Sequence, residues 1–308
     1  MSSNSRRTRW DDADHPSLSL TAALAAGADD PAPEPAEDAT LAAYAEADAR
    51  GPEPVPDWLV IDDGALDHDR GLVKTGKEAD VRLVERVAPD GRRCLLAAKV
   101  YRSSEHRMFH RGAGYLEGRR VRRSREMRAM TTRTEFGRSL IAGRWVWAEM
   151  NALSMLWSGG LPVPYPVQLD GDRLLLEFLG GPDGTAAPRL AQLRPDRATL
   201  AALWSDLHYS LAQLAEAGYA HGDLSAYNLL VHHERVWLID LPQIVDIVGN
   251  PQGPAFLARD VANVCTWFAA RGLPIDPMTV TEELLALALG SAGPKPGSGS
   301  GNGGEPRR

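Results

Sequence analysis

Two aspartates and one asparagine lie among apolar residues in the stretch HGDLSAYNLLVHHERVWLID, residues 221–240. Asp223 and Asn228 are five positions apart, and Asp240 follows the apolar run VWLI. We expect a short hairpin after Asn228, which brings the three polar side chains to one rim. Carboxylate and carboxamide oxygens are ligands that Mg²⁺ accepts together with water and phosphate oxygens. The stretch therefore predicts a site for a metal ion and phosphate groups.

The order of these residues matches the catalytic loop of protein kinases, with His-Gly-Asp in place of the common His-Arg-Asp. In that logic Asp223 is catalytic and accepts the hydroxyl proton. Asn228 and Asp240 are metal ligands, and Asp240 also bridges the metal to the phosphates. Each residue alone has an ordinary alternative, since an aspartate after glycine is usually a turn residue and an asparagine is often a cap. Only their joint occurrence favours the kinase interpretation.

A kinase also needs a lysine on a strand and a glutamate on a helix to orient it. Lys99 ends the apolar run in LLAAKVY, and Glu149 is the acidic residue of the predicted helix RWVWAEMNALSMLWSGG. We expect these two residues to form an ion pair at the ATP phosphates. The alternatives are a surface lysine and a solvated helix face.

The remaining ATP-binding parts are a phosphate loop and a hinge. KTGKEADV lies between the first two strand candidates and supplies Lys74, Thr75, Gly76 and Lys77. Its glycine lets the backbone approach phosphate closely. LLLEFLGG follows the small lobe, and we expect Glu177 to Leu179 to offer backbone groups to adenine.

The chain divides into a strand-rich first half and a helix-rich second half, which predicts an α+β, bilobal protein-kinase-like fold with a cleft between the lobes. The predicted parts are a disordered acidic leader at 1–56, an N-lobe at 57–179, a flexible arginine-rich insert at 102–144, a reduced helical C-lobe at 180–289 and a disordered Gly/Ser tail at 290–308.

Composition excludes several other classes of protein. The formal net charge of -7 argues against a general nucleic-acid coat, and the two cysteines are far apart, outside any metal-ligand spacing. A disulfide framework is therefore not expected. No stretch is apolar enough to cross a bilayer. We expect a cytoplasmic protein without a membrane partner.

The motifs resemble those of the RIO kinases, and within them the RIO1-like group. They are TGKEADV (75–81), AAKVY (97–101), WAEMNAL (147–153), GLPVPYPV (160–167), LLLEFLG (174–180), HGDLSAYNLLV (221–231) and LIDLPQIVD (238–246). The resemblance implies a small kinase fold without an activation loop or peptide-binding helices. It implies ATP and Mg²⁺, with Mn²⁺ as the alternative, and places Ser225 near the phosphates. It also implies a phosphoryl-aspartate intermediate at Asp240.

The insert at 102–144 contains twelve arginines and four glutamates, a net charge of +8. One interpretation is a contact with RNA or the small ribosomal subunit. The other is a solvated loop lying on an acidic surface. Its hydroxyls are candidates for autophosphorylation, and they are Ser103, Ser104, Ser124, Thr131, Thr132 and Thr134.

Three functions remain open at this level. The first is a Ser/Thr protein kinase or ATPase that phosphorylates itself or an unidentified protein. The second is a small-molecule phosphotransferase of the aminoglycoside or choline kind, although few residues follow Asp240 to build a substrate pocket. The third is a nucleotide-switched factor that binds RNA or a ribosomal particle, with slow hydrolysis as its release step.

Overall fold

The computed structural model describes residues 39–76, 79–101 and 135–291. The first lobe is a seven-stranded antiparallel sheet with the strand order β1-β3-β4-β5-β7-β6-β2. Its strands are β1 (Ala39–Leu41), β2 (Ala49–Arg50), β3 (Leu66–Thr75), β4 (Ala79–Val87), β5 (Arg93–Tyr101), β6 (Pro166–Asp170) and β7 (Arg173–Glu177).

The predicted hairpin of ADVRLVERV and CLLAAKVY is confirmed as β4 and β5. Alternate side chains of β5 are buried, among them Leu96 and Ala98, as the period-two pattern of a half-buried strand requires. The turn between the strands passes through Gly91, whose φ of 88° lies in the left-handed region. This pairing places Lys99 opposite Val81 in the middle of the sheet.

The structure departs from the expected disordered leader at residues 39–56. β1 pairs with β3 at one edge of the sheet, and β2 pairs with β6 at the other. Gln168 Nε2 donates to the Ala42 carbonyl at 3.0 Å, and Tyr165 Oη donates to the Pro52 carbonyl at 3.0 Å. The physical reason is that exposed sheet edges offer unpaired backbone groups, so a segment poor in large apolar residues can still be ordered by pairing with them.

The predicted helix carrying Glu149 is confirmed as α1 (Glu135–Ser158). Its buried face includes Val146, Met150, Leu153 and Leu156, as the helical spacing predicts. The helix backbone begins inside the segment that was expected to be a flexible insert. The rest of that insert, residues 102–134, lies outside the described residues, as do residues 1–38, 77–78 and 292–308.

The second lobe contains three helices and two small antiparallel sheets in its described part. The helices are α2 (Arg197–Glu216), α3 (Gly253–Ala269) and α4 (Pro277–Ser291). The strands are β8 (Tyr219–Ala220), β9 (Leu229–His232), β10 (Arg235–Leu238) and β11 (Val245–Asp246), paired β9 with β10 and β8 with β11. None of the helices in the described ranges combines the length and apolar character that a membrane crossing needs.

Two apolar cores hold these layers together. One lies in the sheet lobe and includes Leu96, Tyr165 and Leu175. The other runs from α1 through the second lobe and includes Leu153 and Phe268. Because α1 contributes to this second core, it ties the sheet to the helical lobe, and the predicted α+β, bilobal architecture is confirmed.

Candidate active site

Lys99 is the centre of a charged cluster between the lobes. Its Nζ donates to Glu149 Oε1 at 2.7 Å and to Asp240 Oδ1 at 2.8 Å. Glu149 is fully buried on α1, whereas the side chain of Asp240 is 43% exposed at the end of β10. The expected pair of Lys99 and Glu149 therefore exists, and Asp240 is a second partner of the same lysine.

Electrostatics keeps Lys99 and Asp240 in their charged forms. Burial acts to lower the pKa of Lys99, but the charges of Glu149 and Asp240 outweigh it and hold that pKa well above its usual value. Burial acts to raise the pKa of Asp240, but Lys99 outweighs it and the pKa lies below its usual value. Burial, together with Glu149, raises the pKa of Tyr101 well above its usual value. Its neutral hydroxyl donates to Glu149 Oε2.

The segment containing Asp223 and Asn228 is held by its own backbone. Asn228 Nδ2 donates to the Asp223 carbonyl at 2.9 Å, and the Asn228 N–H donates to the Ser225 carbonyl at 2.9 Å. The Ile239 N–H donates to the Asn228 carbonyl at 3.1 Å, which joins this loop to the residue before Asp240. The amide nitrogen of Asn228 is thus occupied, which leaves its Oδ1 as the atom for a cation.

Gly222 allows a close approach that no other residue permits. Its φ is 86°, and a Cβ there would lie 2.2 Å from the Gln243 carbonyl oxygen. Beside it, buried His221 contacts the Ile239 carbonyl through Nε2 at 3.1 Å. A carbonyl can only accept, so Nε2 carries the proton and Nδ1 accepts from the Asp223 N–H at 3.4 Å. His221 thus links the backbone of Asp223 to that of Ile239, the residue before Asp240.

Asp260 is a site residue that the sequence analysis missed. It is buried on α3 and accepts from the Gly222 N–H at 2.6 Å and from the Leu224 N–H at 3.0 Å. Burial raises its pKa, against the effect of these two donors. Asn263, one turn further along α3, donates to the Leu224 carbonyl at 3.0 Å. The available signal was a carboxylate on the apolar face of the predicted helix ARDVANVC.

A cavity of about 870 Å³ lies at this cluster, within the range of small-molecule sites. Its apolar walls include Val81, Ala97 and Leu176 from the sheet, with Leu230 and Ile239 from the second lobe. The predicted site residues that line it are Gly76, Lys99, Glu149, Glu177, Leu179, Asp223, Asn228 and Asp240.

Two predicted site residues within the described ranges do not line this cavity. Thr75 is exposed at the end of β3, and Ser225 lies in the loop between Asp223 and Asn228. Lys77 lies outside the described residues. Lys74 of the predicted phosphate loop lines the cavity, and so does Arg189, a cation that was not predicted. Burial, together with the charges of Arg189 and Lys99, lowers the pKa of Lys74, so positive charge is concentrated here.

In the predicted hinge, the backbone N–H of Glu177 is hydrogen-bonded within the protein, whereas that of Leu179 is not bonded to any described backbone carbonyl. The Glu177 N–H donates to the Tyr165 carbonyl at 2.8 Å, and the Tyr165 N–H donates to Glu177 Oε2 at 3.0 Å. Burial raises the pKa of Glu177 despite the latter bond. The Leu179 carbonyl accepts from Ala187 at 2.9 Å, whereas its N–H has no backbone acceptor among the described residues. Leu179 also lines the cavity, where an adenine ring would need such a donor.

A sheet lobe and a helical lobe, with an ion-paired lysine and an Asp-Asn-Asp set at the cleft between them, define a protein-kinase-like fold. A family model described as RIO domain matches residues 87–282. The RIO-type serine/threonine-protein kinase Rio1 of Haloferax volcanii is 32% identical over 217 residues, which cover 70% of this chain and 69% of that protein. The chain therefore belongs to the RIO family and is RIO1-like.

Two further relatives extend the comparison. The serine/threonine-protein kinase RIO1 of Caenorhabditis elegans is 31% identical over 213 residues, covering 69% of this chain but only 39% of that protein. A solved structure of the Rio2 kinase-ADP/Mg²⁺-phosphoaspartate complex from Chaetomium thermophilum has a TM-score of 0.50 and 19% identity, covering 72% of this chain and 66% of that chain. The family is one of atypical kinases and ATPases.

Proposed function

We propose that the protein transfers the γ-phosphoryl group of ATP to serine or threonine hydroxyls of a protein acceptor in a Mg²⁺-dependent reaction. Lys99 binds phosphate oxygens and Glu149 orients it. Asp223 is the catalytic residue that accepts the hydroxyl proton. The observation that supports this proposal best is the double contact of Lys99, at 2.7 Å to Glu149 and 2.8 Å to Asp240, inside a cavity that Asp223 and Asn228 also line.

ATP fits the cavity by volume and by the arrangement of its walls. The apolar wall from Ala97 to Leu176 suits the adenine ring, and the Leu179 N–H offers it a donor. The cationic side chains Lys74, Lys99 and Arg189 lie where the negative phosphates would be bound. Lys99 is already paired with Glu149 and Asp240, so phosphate groups would share it with these carboxylates and would add anionic partners for Lys74 and Arg189.

The oxygen atoms at the rim suit Mg²⁺. No cluster of three or more His, Cys, Asp or Glu side chains able to hold a metal ion occurs in the described part of the chain. An ion here would therefore be bound by Asn228 Oδ1 and an Asp240 oxygen, with water and phosphate oxygens completing its shell. When bound, the ion neutralises charge that develops on the phosphoryl oxygens.

Phosphoryl transfer in this site needs no reactant besides ATP and the acceptor hydroxyl. The acceptor hydroxyl oxygen bonds to the γ-phosphorus while the bond from that phosphorus to the β-γ bridging oxygen breaks, and ADP leaves with the electron pair. The hydroxyl proton passes to Asp223 and from there to water. Asp260 and Asn263 hold the backbone on both sides of Asp223, so the carboxylate is in place before the acceptor arrives.

A phosphoryl-aspartate ATPase is the second candidate, and one observation favours it. Asp240 uses Oδ1 for Lys99, its side chain is 43% exposed, and its φ is 65°, an uncommon conformation for a non-glycine residue. In this route an Asp240 oxygen bonds to the γ-phosphorus, ADP leaves, and water later cleaves the acyl phosphate. The solved Rio2 complex of Chaetomium thermophilum is a phosphoaspartate complex of that protein. A hydroxylamine-sensitive phosphoenzyme would support this route.

The insert adds a proposal about autophosphorylation. Its hydroxyl candidates lie outside the described residues, between β5, which carries Lys99, and α1. The proposal is that the chain phosphorylates one or more of them, and mass spectrometry after incubation with ATP and Mg²⁺ tests it. RNA binding by the same insert is the alternative, and it would weaken steeply as salt concentration rises.

Labelled ATP tests the proposed function directly. Purified protein with Mg²⁺ is incubated alone, with a protein substrate, with aminoglycosides and with ribosomal subunits, and Asp223→Ala is the matched control. We expect label in protein and ADP release, both lost in the variant. Label in an aminoglycoside would favour the small-molecule reaction. Hydrolysis only with ribosomal subunits would favour the switched binding factor.

A further inference from the structure

The strap, residues 42–60, links the two opposite edges of the sheet, where β1 and β2 lie. The Gly51 N–H of the strap donates to the Val167 carbonyl of β6 at 3.0 Å. The side chains of Leu59 and Val60 are buried in the apolar core of the sheet lobe. The strap is therefore a packed part of this lobe, and its position affects the residues that it contacts.

Tyr165 connects the strap to the hinge. Its Oη donates to the Pro52 carbonyl at 3.0 Å, and its ring meets that of Trp58 edge-on, with 6.3 Å between the ring centres. Its backbone forms two hydrogen bonds with Glu177, since its carbonyl accepts from the Glu177 N–H at 2.8 Å and its N–H donates to Glu177 Oε2 at 3.0 Å. One fully buried residue thus contacts the strap through its side chain and the hinge through its backbone.

Tyr165 also contacts the helix that carries Glu149. Its ring meets that of Trp157 on α1 edge-on, with 4.9 Å between the ring centres. Trp157 lies about two turns beyond Glu149, the partner of Lys99, on the same helix. The hydroxyl contact with the strap and the ring contact with α1 use different atoms of the tyrosine, so a substitution can remove the first contact and keep the second.

The strap approaches Tyr165 so closely that only a glycine fits at position 51. A Cβ on Gly51 would lie 2.5 Å from Cζ and Oη of Tyr165 and 2.2 Å from the Pro166 carbonyl oxygen. Non-bonded carbon atoms attract each other best at roughly 3.5–4.0 Å, so a larger residue would force the strap or the tyrosine to move. Because protein interiors are densely packed, such a movement would be passed on to the groups that Tyr165 contacts.

We propose that Tyr165 is a positioning residue for ATP, held by the strap so that the hinge presents its hydrogen-bonding groups to the adenine ring. This inference deepens the proposed function and rests on it, because it takes the hinge as the adenine site. The two hydrogen bonds to Tyr165 fix the backbone and the carboxylate of Glu177, which lines the cavity. Leu179, whose N–H is the proposed donor to adenine, follows two residues later. A displacement of the hinge at Glu177 would therefore move this donor out of line with the base.

A role in recognising the base differs measurably from a role in stability alone. ATP and GTP carry the same ribose and phosphates, so they differ only in the base that meets the hinge. Adenine and guanine present different donors and acceptors there, and a buried polar group left without its partner lowers affinity. A loosened hinge should therefore weaken the binding of ATP more than that of GTP, whereas a general loss of stability should weaken both equally.

The test is calorimetric titration of ATP and of GTP, each with Mg²⁺, into the wild type and Tyr165→Phe. This substitution keeps the ring and the backbone bonds to Glu177 and removes only the hydroxyl that donates to Pro52. We expect the wild type to prefer ATP. In Tyr165→Phe the Kd for GTP divided by the Kd for ATP should fall roughly 3- to 10-fold, the effect of one neutral hydrogen bond. Tyr209→Phe, which removes a hydroxyl from an exposed position of α2, is the matched control and should keep the ratio.

Gly51→Ala disturbs the same contact from the side of the strap. Its control is Gly290→Ala, where the new atom has nothing within 4 Å, and we expect the ratio to fall in the first variant only. Urea unfolding checks that each variant is folded, and Tyr165→Phe decides alone if Gly51→Ala is not. Three outcomes overturn the inference. They are equal affinity of the wild type for ATP and GTP, an equal weakening of both nucleotides in Tyr165→Phe, and an unchanged ratio in that variant.

Because titration requires no phosphoryl transfer, it separates this inference from the proposed function. A preference for ATP that depends on Tyr165, without transfer to any acceptor, would mean that the proposed reaction is wrong and the positioning role correct. Transfer by a protein whose base preference does not depend on Tyr165 would mean the reverse, and a wild type that binds neither nucleotide would refute both. In initial-rate measurements, Tyr165→Phe should raise the KM for ATP and keep kcat, a split that a purely structural role does not produce.

Discussion

Lys99 Nζ lies 2.8 Å from Asp240 Oδ1, and this contact joins β5 of the sheet lobe to the end of β10 in the helical lobe. The same ammonium group donates to Glu149 at 2.7 Å. Glu149 and Asp240 take two of the three donors of this ammonium group, so a phosphate oxygen would take the third donor beside Asp240 or displace that carboxylate. The ion pair across the cleft is therefore a place where nucleotide binding and lobe position are coupled.

Lys99→Met should raise the apparent KM for ATP and lower kcat, because it removes the proposed phosphate ligand. Glu149→Gln should have the same effect more mildly, since Asp240 still holds the ammonium group. Initial rates of ADP release over a range of ATP concentrations measure both. Arg93→Met, an exposed change on the same strand, is the control and should leave the kinetics intact. Unchanged kinetics in both site variants would mean that the pair is structural.

Asp223→Ala and Asp240→Ala should both lose phosphoryl transfer for different reasons. Asp223→Ala removes the proposed proton acceptor, so its rate should fall by at least about 10²- to 10⁴-fold while ATP affinity stays near normal. Asp240→Ala removes a proposed metal ligand and should weaken binding of Mg·ATP itself. Calorimetric titration with and without Mg²⁺ distinguishes the two. Retained activity in Asp223→Ala would contradict the assignment of the loop.

The contact of Asp240 with Lys99 predicts a pH dependence of stability. The pKa of Asp240 is lower in the folded protein, where burial is outweighed by Lys99, than in the unfolded chain. The contact therefore stabilises the fold above the ordinary aspartate pKa of about 3.9, and the stabilisation is lost as the pH falls through the lower folded value. In urea unfolding, the difference between wild type and Asp240→Asn should be present at neutral pH and should shrink as the pH falls below about 4, through the lower folded pKa. A constant difference across this range would contradict the prediction.

Local patterns predicted much of this fold because they act over short distances. The alternation of apolar residues predicted strand β5, and apolar residues at helical spacing predicted the buried face of α1. The order of Lys99, Glu149, Asp223 and Asn228 placed the cleft between the lobes. Strand β1 could not be predicted in this way, since its order depends on pairing with β3, far along the chain, and its own side chains are mostly exposed.

Hydrogen bonds between a side chain and distant backbone groups also could not be predicted from the sequence. Asp260 acts through two N–H donors of the Asp223 loop, 36 and 38 positions away, and no side-chain motif marks that partnership. Arg189 comes to the cavity from the second lobe, far along the chain from Lys74 and Lys99, so it does not look special beside its own neighbours. Such sites become visible only when the lobes are assembled.

Asp260→Asn should lower kcat more than it changes the KM for ATP. An asparagine offers one acceptor oxygen where the carboxylate binds two N–H groups, so the loop carrying Asp223 loses one of its two contacts. Small misplacement of a catalytic group can cost up to about 100-fold in rate. The control is Asp196→Ala, which removes the cap of α2 at Thr199 and should cost about 1 kcal/mol of stability without changing kcat. If Asp260→Asn lost stability as the control does and kept its kcat, Asp260 would have only a structural role.

Gly222→Ala tests the close approach that sets the geometry of the loop. A Cβ at Gly222 would meet the Gln243 carbonyl oxygen at 2.2 Å, and its φ of 86° is unfavourable for alanine as well. Gly272 provides the matched control, because its φ is 88° and nothing lies within 4 Å of the new atom. Gly272→Ala should therefore cost only the conformational strain, about 1–2 kcal/mol, and keep full activity. Gly222→Ala adds the clash, so it should be less stable than the control and should lose activity even where it remains folded. Urea unfolding together with ADP release measures both, and equal behaviour of the two variants would show that the contact with Gln243 does not constrain the loop.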